Sequence, residues 1–230
     1  MYKNKKILAF VPARIGSKRL KNKNILKING IPLYEHSIKV TKNSKYIDSI
    51  IVSTDSQDIL NKAHQLGCIK NNLRPEELSG DSSRTIDVIL YELKENNLNN
   101  YDALVLLQPT SPNRTVDLLD KAIEKYFETE TSLITIVKKK TDPLFFRVIK
   151  NNELQKIDSL DLNNHLKSND IYQIVGNIYI NNIKNLSTET VLNDNKIPFL
   201  IDESYNIDID TKEDLEKAKA IMSKSTNNYD

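Results

Sequence analysis

Short apolar segments alternate with longer segments of helical periodicity through the first two thirds of the chain. The apolar segments, each predicted as a buried strand, are Ile7–Val11, Ser49–Ser53, Ala103–Leu107 and Leu133–Val137. The segments predicted as helices are Leu33–Thr41, Asp58–Leu66, Thr85–Glu95 and Val116–Phe127. Strands that are apolar along their whole length are typical of parallel sheets with helices on both faces. The order of these segments therefore predicts an α/β fold with a mainly parallel sheet flanked by helices.

The alternation is interrupted between about residues 142 and 185. This segment is rich in Asn, and its strand signals are short, as in Phe145–Ile149 and Ile178–Ile180. It also carries apolar side chains that need a surface beyond their own domain, namely Leu144, Phe145, Phe146, Ile171 and Tyr172. We expect a small antiparallel arm that packs on a partner subunit.

The C-terminal part of the chain returns to short apolar segments and a last helix. These are Phe199–Ile201, Ile207–Ile209 and the helix Lys212–Met222. Residues 223–230 form a polar tail of the kind that frays at a terminus. Because the sequence shows no repeat and no linker, we predict a single domain over residues 1–222.

Length, charge and cysteine content limit the class of protein. A chain of 230 residues is long enough for one α/β domain with its own core. A net charge of +2 gives no field that favours nucleic acid or a membrane surface, and no apolar run approaches the roughly 20 residues that span a bilayer. One cysteine, Cys68, excludes an internal disulfide, and the N-terminus lacks the apolar segment of a signal peptide. We expect a cytoplasmic protein.

A basic loop follows the first predicted strand. The strand ends at Pro12, and the next eleven residues hold one Gly, one Ser, two Arg and three Lys. The carboxyl edge of an open α/β sheet is where ligands bind, and basic side chains on a Gly-containing loop suit a polyanion such as a triphosphate. The alternative is a solvated run of charges.

Two carboxylates lie close together near the C-terminus. Asp208 and Asp210 alternate with Ile207 and Ile209, so in a strand both carboxylates would share one face. Mg²⁺ takes one or two carboxylates together with phosphate oxygens and water, so the pair is a candidate magnesium site. The alternative is a helix cap by Asp210 or Thr211. The two interpretations are compatible, because Thr211 can cap the helix while the two Asp residues bind metal.

Two polar loops follow other predicted elements at this edge. Gln108, Thr110 and Ser111 follow the strand Ala103–Leu107, and the alternative is an ordinary loop with Thr115 as the helix N-cap. Arg74, Ser83 and Thr85 lie in or beside a polar loop that precedes the helix Thr85–Glu95, where Ser and Thr could instead serve as caps.

Several remaining residues favour structural roles. Asp55, at the end of the second strand, could cap the next helix. Arg84 and Arg114 lie beside loops where an arginine could contact a ligand, but they could equally be surface residues at helix N-termini. Cys68 follows a helix-ending glycine and is predicted to be a packing residue. No dinucleotide-binding Gly-x-Gly-x-x-Gly and no Gly-Lys-Ser/Thr phosphate loop is present in the sequence, which argues against hydride transfer and P-loop chemistry.

Sequence motifs over nearly the whole chain resemble the CMP-sugar synthetases, and more narrowly the acylneuraminate (sialic acid type) cytidylyltransferases. The motifs that carry the resemblance are Pro12-Ala-Arg-Ile-Gly-Ser-Lys-Arg19, Lys23-Asn24, Ser53-Thr-Asp55, Leu73-Arg-Pro75, Gln108-Pro-Thr-Ser-Pro112, Gly176-Asn-Ile-Tyr-Ile180 and Ile207-Asp-Ile-Asp210. The resemblance implies a Rossmann-like fold of the nucleotide-diphospho-sugar transferase type. It also implies CTP and a sialic-type sugar acid as substrates, Mg²⁺ as cofactor and a homodimer with an exchanged arm.

The resemblance also implies roles for individual residues. The nucleotide would be bound by Ala13, Arg14, Ser17, Lys18, Lys23, Asn24, Arg74, Ser83 and Thr85. The acceptor sugar would contact Gln108, Thr110, Ser111, Tyr172, Gly176 and Tyr179. Asp208 and Asp210 would bind the metal, and together with Arg14 and Lys18 they are the predicted catalytic residues.

One segment departs from the family pattern. An Arg-Gln pair upstream of the Gly-Asn-Ile-Tyr-Ile run is usual, but this chain has His165-Leu166 there. Because the missing Arg would have served the sugar site across the dimer, we expect an acceptor other than plain N-acetylneuraminic acid. Legionaminic- or pseudaminic-type acids, another keto-sugar acid or a phosphonate remain open, as does a catalytically inactive nucleotide-binding relative.

Overall fold

A six-stranded mixed sheet forms the centre of the computed structural model, which describes residues 1–17, 19–139, 148–150, 153–155 and 171–225. The strands of the described residues are β1 (Ile7–Pro12), β2 (Lys27–Ile28), β3 (Ile31–Pro32), β4 (Ser49–Ser53), β5 (Ala103–Leu106), β6 (Leu133–Lys139), β7 (Val148–Lys150), β8 (Glu153–Gln155), β9 (Ile171–Asn182) and β10 (Ile197–Leu200). The sheet has the order β10-β6-β9-β5-β1-β4. All of its strands except β9 run in the same direction, which confirms the predicted mainly parallel sheet.

Five α-helices lie in the described residues, and they follow the predicted segments closely. They are α1 (Leu33–Asn43), α2 (Gln57–Gln65), α3 (Thr85–Glu95), α4 (Val116–Thr129) and α5 (Lys212–Ser225). Gly67 follows α2 with φ of +84°, the left-handed conformation that a glycine adopts after a helix end. No helix among the described residues is long and apolar enough to cross a membrane.

The sheet is covered on both faces, as the apolar strands predicted. Alternate residues of β1 point to opposite sides: Ile7 and Ala9 pack in one core cluster with residues of α1, α2 and α4. Leu8 and Phe10 pack in a second cluster with residues of α3. All four side chains are completely buried. This two-sided burial fixes the end of β1 in space, which positions the basic loop that follows it.

The strand β9 corrects the prediction for the segment between residues 142 and 185. The sequence indicated only a short piece at Ile178–Ile180, but the strand covers Ile171–Asn182 and runs antiparallel between β5 and β6. The C-terminal part of the expected arm therefore belongs to the main sheet. A small antiparallel pair, β7 with β8, is present within the rest of that segment. The predictions for Leu144, Phe145, Phe146, His165 and Leu166 lie outside the described residues.

A β-hairpin between the basic loop and α1 was not predicted from the sequence. The strands β2 and β3 pair antiparallel around Asn29 and Gly30, whose φ angles are +51° and +78°. Asn-Gly is a strong signal for a two-residue hairpin turn that needs positive φ at both positions. The dipeptide was therefore sufficient to predict the hairpin, although its strands are only two residues long.

The segment with the paired carboxylates is extended, but it is not the predicted strand. Residues 206–210 form no strand ladder with any described residue, while the short apolar segment Phe199–Ile201 overlaps a strand, β10, that begins two residues earlier and ends one residue earlier. Ile207 and Ile209 are nevertheless buried, and they pack with Ile28 and with α5. The alternation of side chains thus holds without a sheet, because the two isoleucines anchor the segment in a separate core cluster.

Candidate active site

A cavity of about 340 Å³ opens at the carboxyl edge of the sheet, where β1, β4 and β5 end. In the sheet, β4 lies on one side of β1 and β5 lies on the other. The chain therefore reverses direction across the sheet at β1, and the cavity lies at the crevice where ligands bind in open α/β sheets. Eleven of the residues predicted for the site line it, and these are Arg14, Ser17, Lys23, Asn24, Arg74, Ser83, Thr85, Gln108, Thr110, Asp208 and Asp210. The cavity therefore brings together motifs that are far apart in the sequence.

The basic loop is fixed by hydrogen bonds from its backbone. The amide of the buried Ala13 donates to the carbonyl of Ser53, and the amide of Ile15 donates to Asp55 Oδ1 over 2.7 Å. The side chain of Asn24 donates to the carbonyl of Arg14 over 2.7 Å. Asp55 thus holds this loop, and the expectation that it caps the next helix is wrong, because Ser56 caps α2.

The cationic side chains of the loop are held by oxygen acceptors around the cavity. Arg14 donates to the carbonyl of Ser79 and to the carboxylate of Asp81. Lys23 donates to Asp210 Oδ1 over 2.8 Å, and Arg19 contacts the other oxygen of the same carboxylate. Arg19 was not among the predicted site residues, although it belongs to the same basic run. Lys18 lies outside the described residues, so its role stays a prediction.

Arg74 forms the floor of the cavity. Its side chain is only 6% exposed, and its Nε and Nη2 groups donate to the hydroxyl and the carbonyl of Ser53 over 3.0 and 2.6 Å. Burial lowers the pKa of this guanidinium, while the carboxylates of Asp55 and Glu92 act in the opposite direction. Within the described part of the chain, Nη1 forms no hydrogen bond, which leaves it available to a ligand.

Ser83 and Thr85 do not have the capping role that the sequence left open. The N-cap of α3 is Arg84, and the side chain of this residue makes no capping hydrogen bond. The hydroxyl of Ser83 instead donates to the carbonyl of Glu77. Both hydroxyls line the cavity beside Arg74, where they add polar groups at the level of the cavity floor.

The turn after β5 is held by Arg114, a buried arginine for which the sequence had left a surface position open. Arg114 is 6% exposed and donates to the carbonyls of Gln108 and Asn177 and to the hydroxyl of Ser37. Burial lowers the pKa of its guanidinium. The surface assignment is wrong for Arg114, because its three bonds tie this turn to β9 and α1. Thr115 is the N-cap of α4, as the sequence allowed.

Two further residues predicted for the sugar, Gly176 and Tyr179, lie beside the cavity. A Cβ placed on Gly176 would come within 2.3 Å of Gln108 Oε1 and 3.7 Å of Ser111 Oγ, so the glycine gives Gln108 its space. Tyr179 lines an adjoining depression that shares Thr85 and Gln108 with the cavity. Burial raises the pKa of Tyr179, as does the charge of Asp208.

Tyr172 is the predicted sugar residue that the structure places away from the cavity. It lies near the start of β9, opposite Lys138 of β6, and it is 44% exposed. Ala13 and Ser111 also do not line the cavity, but both are buried directly beside it.

The paired carboxylates face the cavity as predicted from their spacing. Asp208 and Asp210 both line it, and the amide of Ile209 between them donates to the carbonyl of Thr110 over 2.9 Å. The helix-cap interpretation is also correct: the hydroxyl of Thr211 and the carboxylate of Asp214 exchange hydrogen bonds with each other's backbone amides at the start of α5. The cap belongs to Thr211 and Asp214, which leaves the other two carboxylates to the cavity.

The donor set fits Mg²⁺ better than a metal held by protein alone. No group of three or more metal-ligating side chains is found among the described residues. Two neighbouring carboxylates, one of which also contacts Arg19 and Lys23, suit an ion that completes its shell with phosphate oxygens and water. Four cations, namely Arg14, Arg19, Lys23 and Arg74, line the same space, so a polyphosphate fits its charge.

Comparison with known proteins extends over almost the whole chain. A family model described as cytidylyltransferase matches residues 8–229. The chain is 33% identical to the CMP-N,N'-diacetyllegionaminic acid synthase of Legionella pneumophila over 94% of its own length and 96% of that protein. It is 29% identical to the N-acylneuraminate cytidylyltransferase of Escherichia coli O18:K1:H7, over 95% of its own length and 52% of that longer protein.

Solved structures agree with the fold. The chain superimposes on a CMP:2-keto-3-deoxy-manno-octonic acid synthetase, solved with CTP, with a TM-score of 0.71 at 16% identity; the match covers 96% of this chain and 99% of that one. At this level of identity the likeness concerns the fold alone. The family match and the relative of similar length together show that this chain belongs to the cytidylyltransferase family, a family of nucleotidyltransferases.

Proposed function

We propose that this protein transfers CMP from CTP to the anomeric hydroxyl of a nonulosonic, sialic-type sugar acid and releases pyrophosphate. The observation that carries the proposal is the cavity in which the basic loop, Arg74 and the two carboxylates of Asp208 and Asp210 meet. The similarity to a CMP-N,N'-diacetyllegionaminic acid synthase over nearly the full length of both chains supports the class of acceptor.

The chemistry is an in-line substitution at phosphorus. The anomeric oxygen of the sugar acid forms a bond to the α-phosphorus of CTP while the bond from that phosphorus to the bridging oxygen breaks. Pyrophosphate leaves with the electron pair, and the proton of the hydroxyl passes to solvent. Such reactions depend mainly on positioning and on stabilisation of charge.

The residues of the cavity supply both contributions. Arg14 and Lys23, with Lys18 as predicted from sequence, would neutralise the charge that builds on pyrophosphate. Asp208 and Asp210 would hold Mg²⁺, which supplies Lewis-acid stabilisation of phosphate oxygens when bound. Gln108, beside Gly176 and Tyr179, would orient the acceptor in the adjoining depression.

The assembly belongs to the same proposal. The start of β9 exposes Tyr172 and Ile174, at 44% and 43%, and the side chains of i and i+2 share one face of a strand. An apolar face of this kind suits a partner, and the sequence resemblance implies a homodimer. We expect the second subunit to cover these residues and to complete the acceptor site, where His165 and Leu166 replace the usual Arg-Gln pair.

The proposal is tested by measuring pyrophosphate release with CTP and a panel of acceptors. The panel contains N-acetylneuraminic, legionaminic, diacetyllegionaminic and pseudaminic acids, together with 2-keto-3-deoxyoctonate. We expect release that requires both CTP and a nine-carbon acid, with an acceptor other than N-acetylneuraminic acid preferred. Release with none of the acids would overturn the proposal, and the best rate with N-acetylneuraminic acid would overturn the stated preference.

A further inference from the structure

A buried carboxylate lies beneath the cavity floor, outside the site described so far. Glu92, on α3, is 1% exposed, and its Oε1 accepts a hydrogen bond from the hydroxyl of Ser53 over 2.6 Å. Its Oε2 accepts from the side-chain amides of Asn71 and Asn96 over 3.2 and 2.9 Å. The two amides can only donate in these contacts, and a carboxylate that accepts on both oxygens also accepts the hydrogen bond from the hydroxyl of Ser53.

This carboxylate is connected to the cavity through one hydroxyl. Because Ser53 gives its proton to Glu92, its oxygen is free to accept the hydrogen bond from Arg74 Nε, at 3.0 Å. The chain of contacts runs from Glu92 through Ser53 to Arg74, whose remaining donors line the cavity. Consecutive hydrogen bonds of this kind polarise one another in a buried site.

The charges of Glu92 and Arg74 also support an interaction between these two side chains. Arg74 is buried, and the structure gives it no direct ion pair among the described residues; Asp55 and Glu92 are the nearby anions that favour its charged form. Burial raises the pKa of Glu92 above its usual value, and the hydrogen bonds from Ser53 and Asn71 and the charge of Arg74 oppose this shift. The hydroxyl of Ser53 lies between the two side chains, so each can act on the other through it.

We infer that Glu92 is a positioning residue for nucleotide recognition: through Ser53 it fixes the orientation of Arg74 at the cavity floor, and so sets the affinity and base selectivity for CTP. This inference rests on the proposed function, since it assigns the base of a cytidine nucleotide to the floor at Arg74. Cytosine offers a ring nitrogen and a carbonyl as acceptors, which a guanidinium held in one orientation can match.

The substitution Glu92→Gln tests the inference because it keeps the size of the side chain. An amide cannot accept on both sides, so either Ser53 or the pair Asn71 and Asn96 faces a second donor. We expect KM and Kd for CTP to rise roughly ten-fold, as when a supporting partner of a binding residue is lost. We expect kcat at saturating CTP and KM for the sugar acid to stay within about two-fold of wild type.

The chain offers a matched control on the other face of the sheet. Asp120, on α4, is 8% exposed and accepts a hydrogen bond from the hydroxyl of Ser44, and neither residue lines the cavity. Asp120→Asn should lower the melting temperature without changing Kd for CTP. If Glu92→Gln behaves in the same way, with a lower melting temperature and unchanged CTP binding, the carboxylate has a structural role only and the inference is overturned.

A second variant keeps the test valid if Glu92→Gln does not fold. Ser53→Ala removes the connecting hydroxyl and leaves the carboxylate in place. It should raise Kd for CTP by a similar factor, lower the preference for CTP over UTP, and show no further loss when combined with Glu92→Gln. Unchanged CTP binding in Ser53→Ala would refute the connection.

The two proposals fail in different ways. Calorimetric titration of wild-type protein with CTP and Mg²⁺ comes first. Absence of binding by the wild type would overturn the proposed function. Binding by the wild type that Ser53→Ala and Glu92→Gln leave unchanged would overturn only the role of Glu92.

Discussion

At the scale of single residues, the proposed chemistry depends most on the paired aspartates, which would hold Mg²⁺. Asp208 and Asp210 face the cavity while the isoleucines between and before them anchor the segment in the core. The helix cap beside them belongs to Thr211 and Asp214. The metal and cap interpretations can therefore be separated by substitutions at neighbouring positions.

We expect Asp208→Asn and Asp210→Asn each to lower turnover by at least about 100-fold, because an amide replaces a charged oxygen ligand. Thr211→Ala is the control; it should cost about 1 kcal/mol of stability through the cap and leave turnover unchanged well below the melting temperature. Steady-state rates at varied Mg²⁺ and thermal melts make the comparison. Near wild-type turnover in both Asn variants at saturating Mg²⁺ would contradict the assignment of Asp208 and Asp210 as metal ligands.

Gly176 predicts a selective defect in acceptor use. In Gly176→Ala the new methyl group would lie 2.3 Å from Gln108 Oε1, so the flexible end of that side chain must move. We expect KM for the sugar acid to rise roughly ten-fold, since small displacements of a positioning group are costly. Kd for CTP should not change. In a Gln108→Ala background the substitution should have no further effect, and an equal loss there would contradict the contact.

The thiol of Cys68 is expected to react slowly. Burial raises its pKa to about 11, so roughly one thiol in a thousand is ionised at pH 8. Because the thiolate is the reactive form, labelling by a disulfide reagent should be slow in the folded protein and should accelerate as the pH rises. Unfolding in guanidinium should give rapid labelling at pH 8, and equally rapid labelling of the folded protein would contradict the assignment of Cys68 as a packing residue.

At the scale of elements, most of the strands and helices follow from the sequence pattern. The strand Ser49–Ser53 and the helix Thr85–Glu95 were predicted with the bounds that the structure has. The first of these is centred on the apolar run Ile50-Ile51-Val52, and the second has a clear helical period. The local pattern was sufficient in both cases, because each element buries its own apolar residues against the common sheet.

The elements that the sequence did not predict depend on distant partners. The first part of β9 was assigned to the expected arm, and it becomes a strand of the main sheet because β6 provides a partner along Ile171–Ile174. The segment at residues 206–210 is extended through packing on α5 and not through a sheet ladder. Likewise, nothing local marks Arg114 as buried, since its acceptors lie on β9, on α1 and at the start of its own turn.

Arg114 links three elements, and its loss should be felt as instability. The ammonium of a lysine could not reproduce the planar fork, so Arg114→Lys would leave at least one of the buried acceptors without a donor. We expect a loss of about 2–4 kcal/mol in the free energy of unfolding, measured with urea. Arg84→Lys is the matched control, because Arg84 is an exposed arginine at a helix start. Equal, small effects of the two substitutions would contradict the role of Arg114.

At the scale of the whole molecule, the motifs of the candidate site were predictable, but their contacts were not. The basic loop and Gln108 were assigned to one edge because parallel strands end there, and the aspartates were joined to them through the family resemblance. That Arg19 and Lys23 would both contact Asp210 depends on the path of the last segment, which no local pattern determines. The hydrogen bonds of Glu92 were not predicted, because its partners Ser53, Asn71 and Asn96 all lie outside the helix that carries it.

The assembly is expected to be a homodimer in solution. Tyr172 and Ile174 expose apolar surface on β9 that a second subunit would cover. Light scattering at micromolar concentration should give twice the mass of one chain, and the double substitution Tyr172→Ser with Ile174→Ser should shift the protein toward the monomer. A wild-type monomer at that concentration would contradict the expected assembly.

The central claim is that one cavity joins CMP to a sialic-type sugar acid, and the identity of the product tests it most directly. The protein is incubated with CTP, Mg²⁺ and diacetyllegionaminic acid, and phosphorus NMR with mass spectrometry follows the phosphate groups. We expect a phosphodiester between CMP and the anomeric carbon, formed in equal amount with pyrophosphate and absent in the Asp208→Asn variant. Hydrolysis of CTP without a CMP-sugar product from any acid of the panel would contradict it.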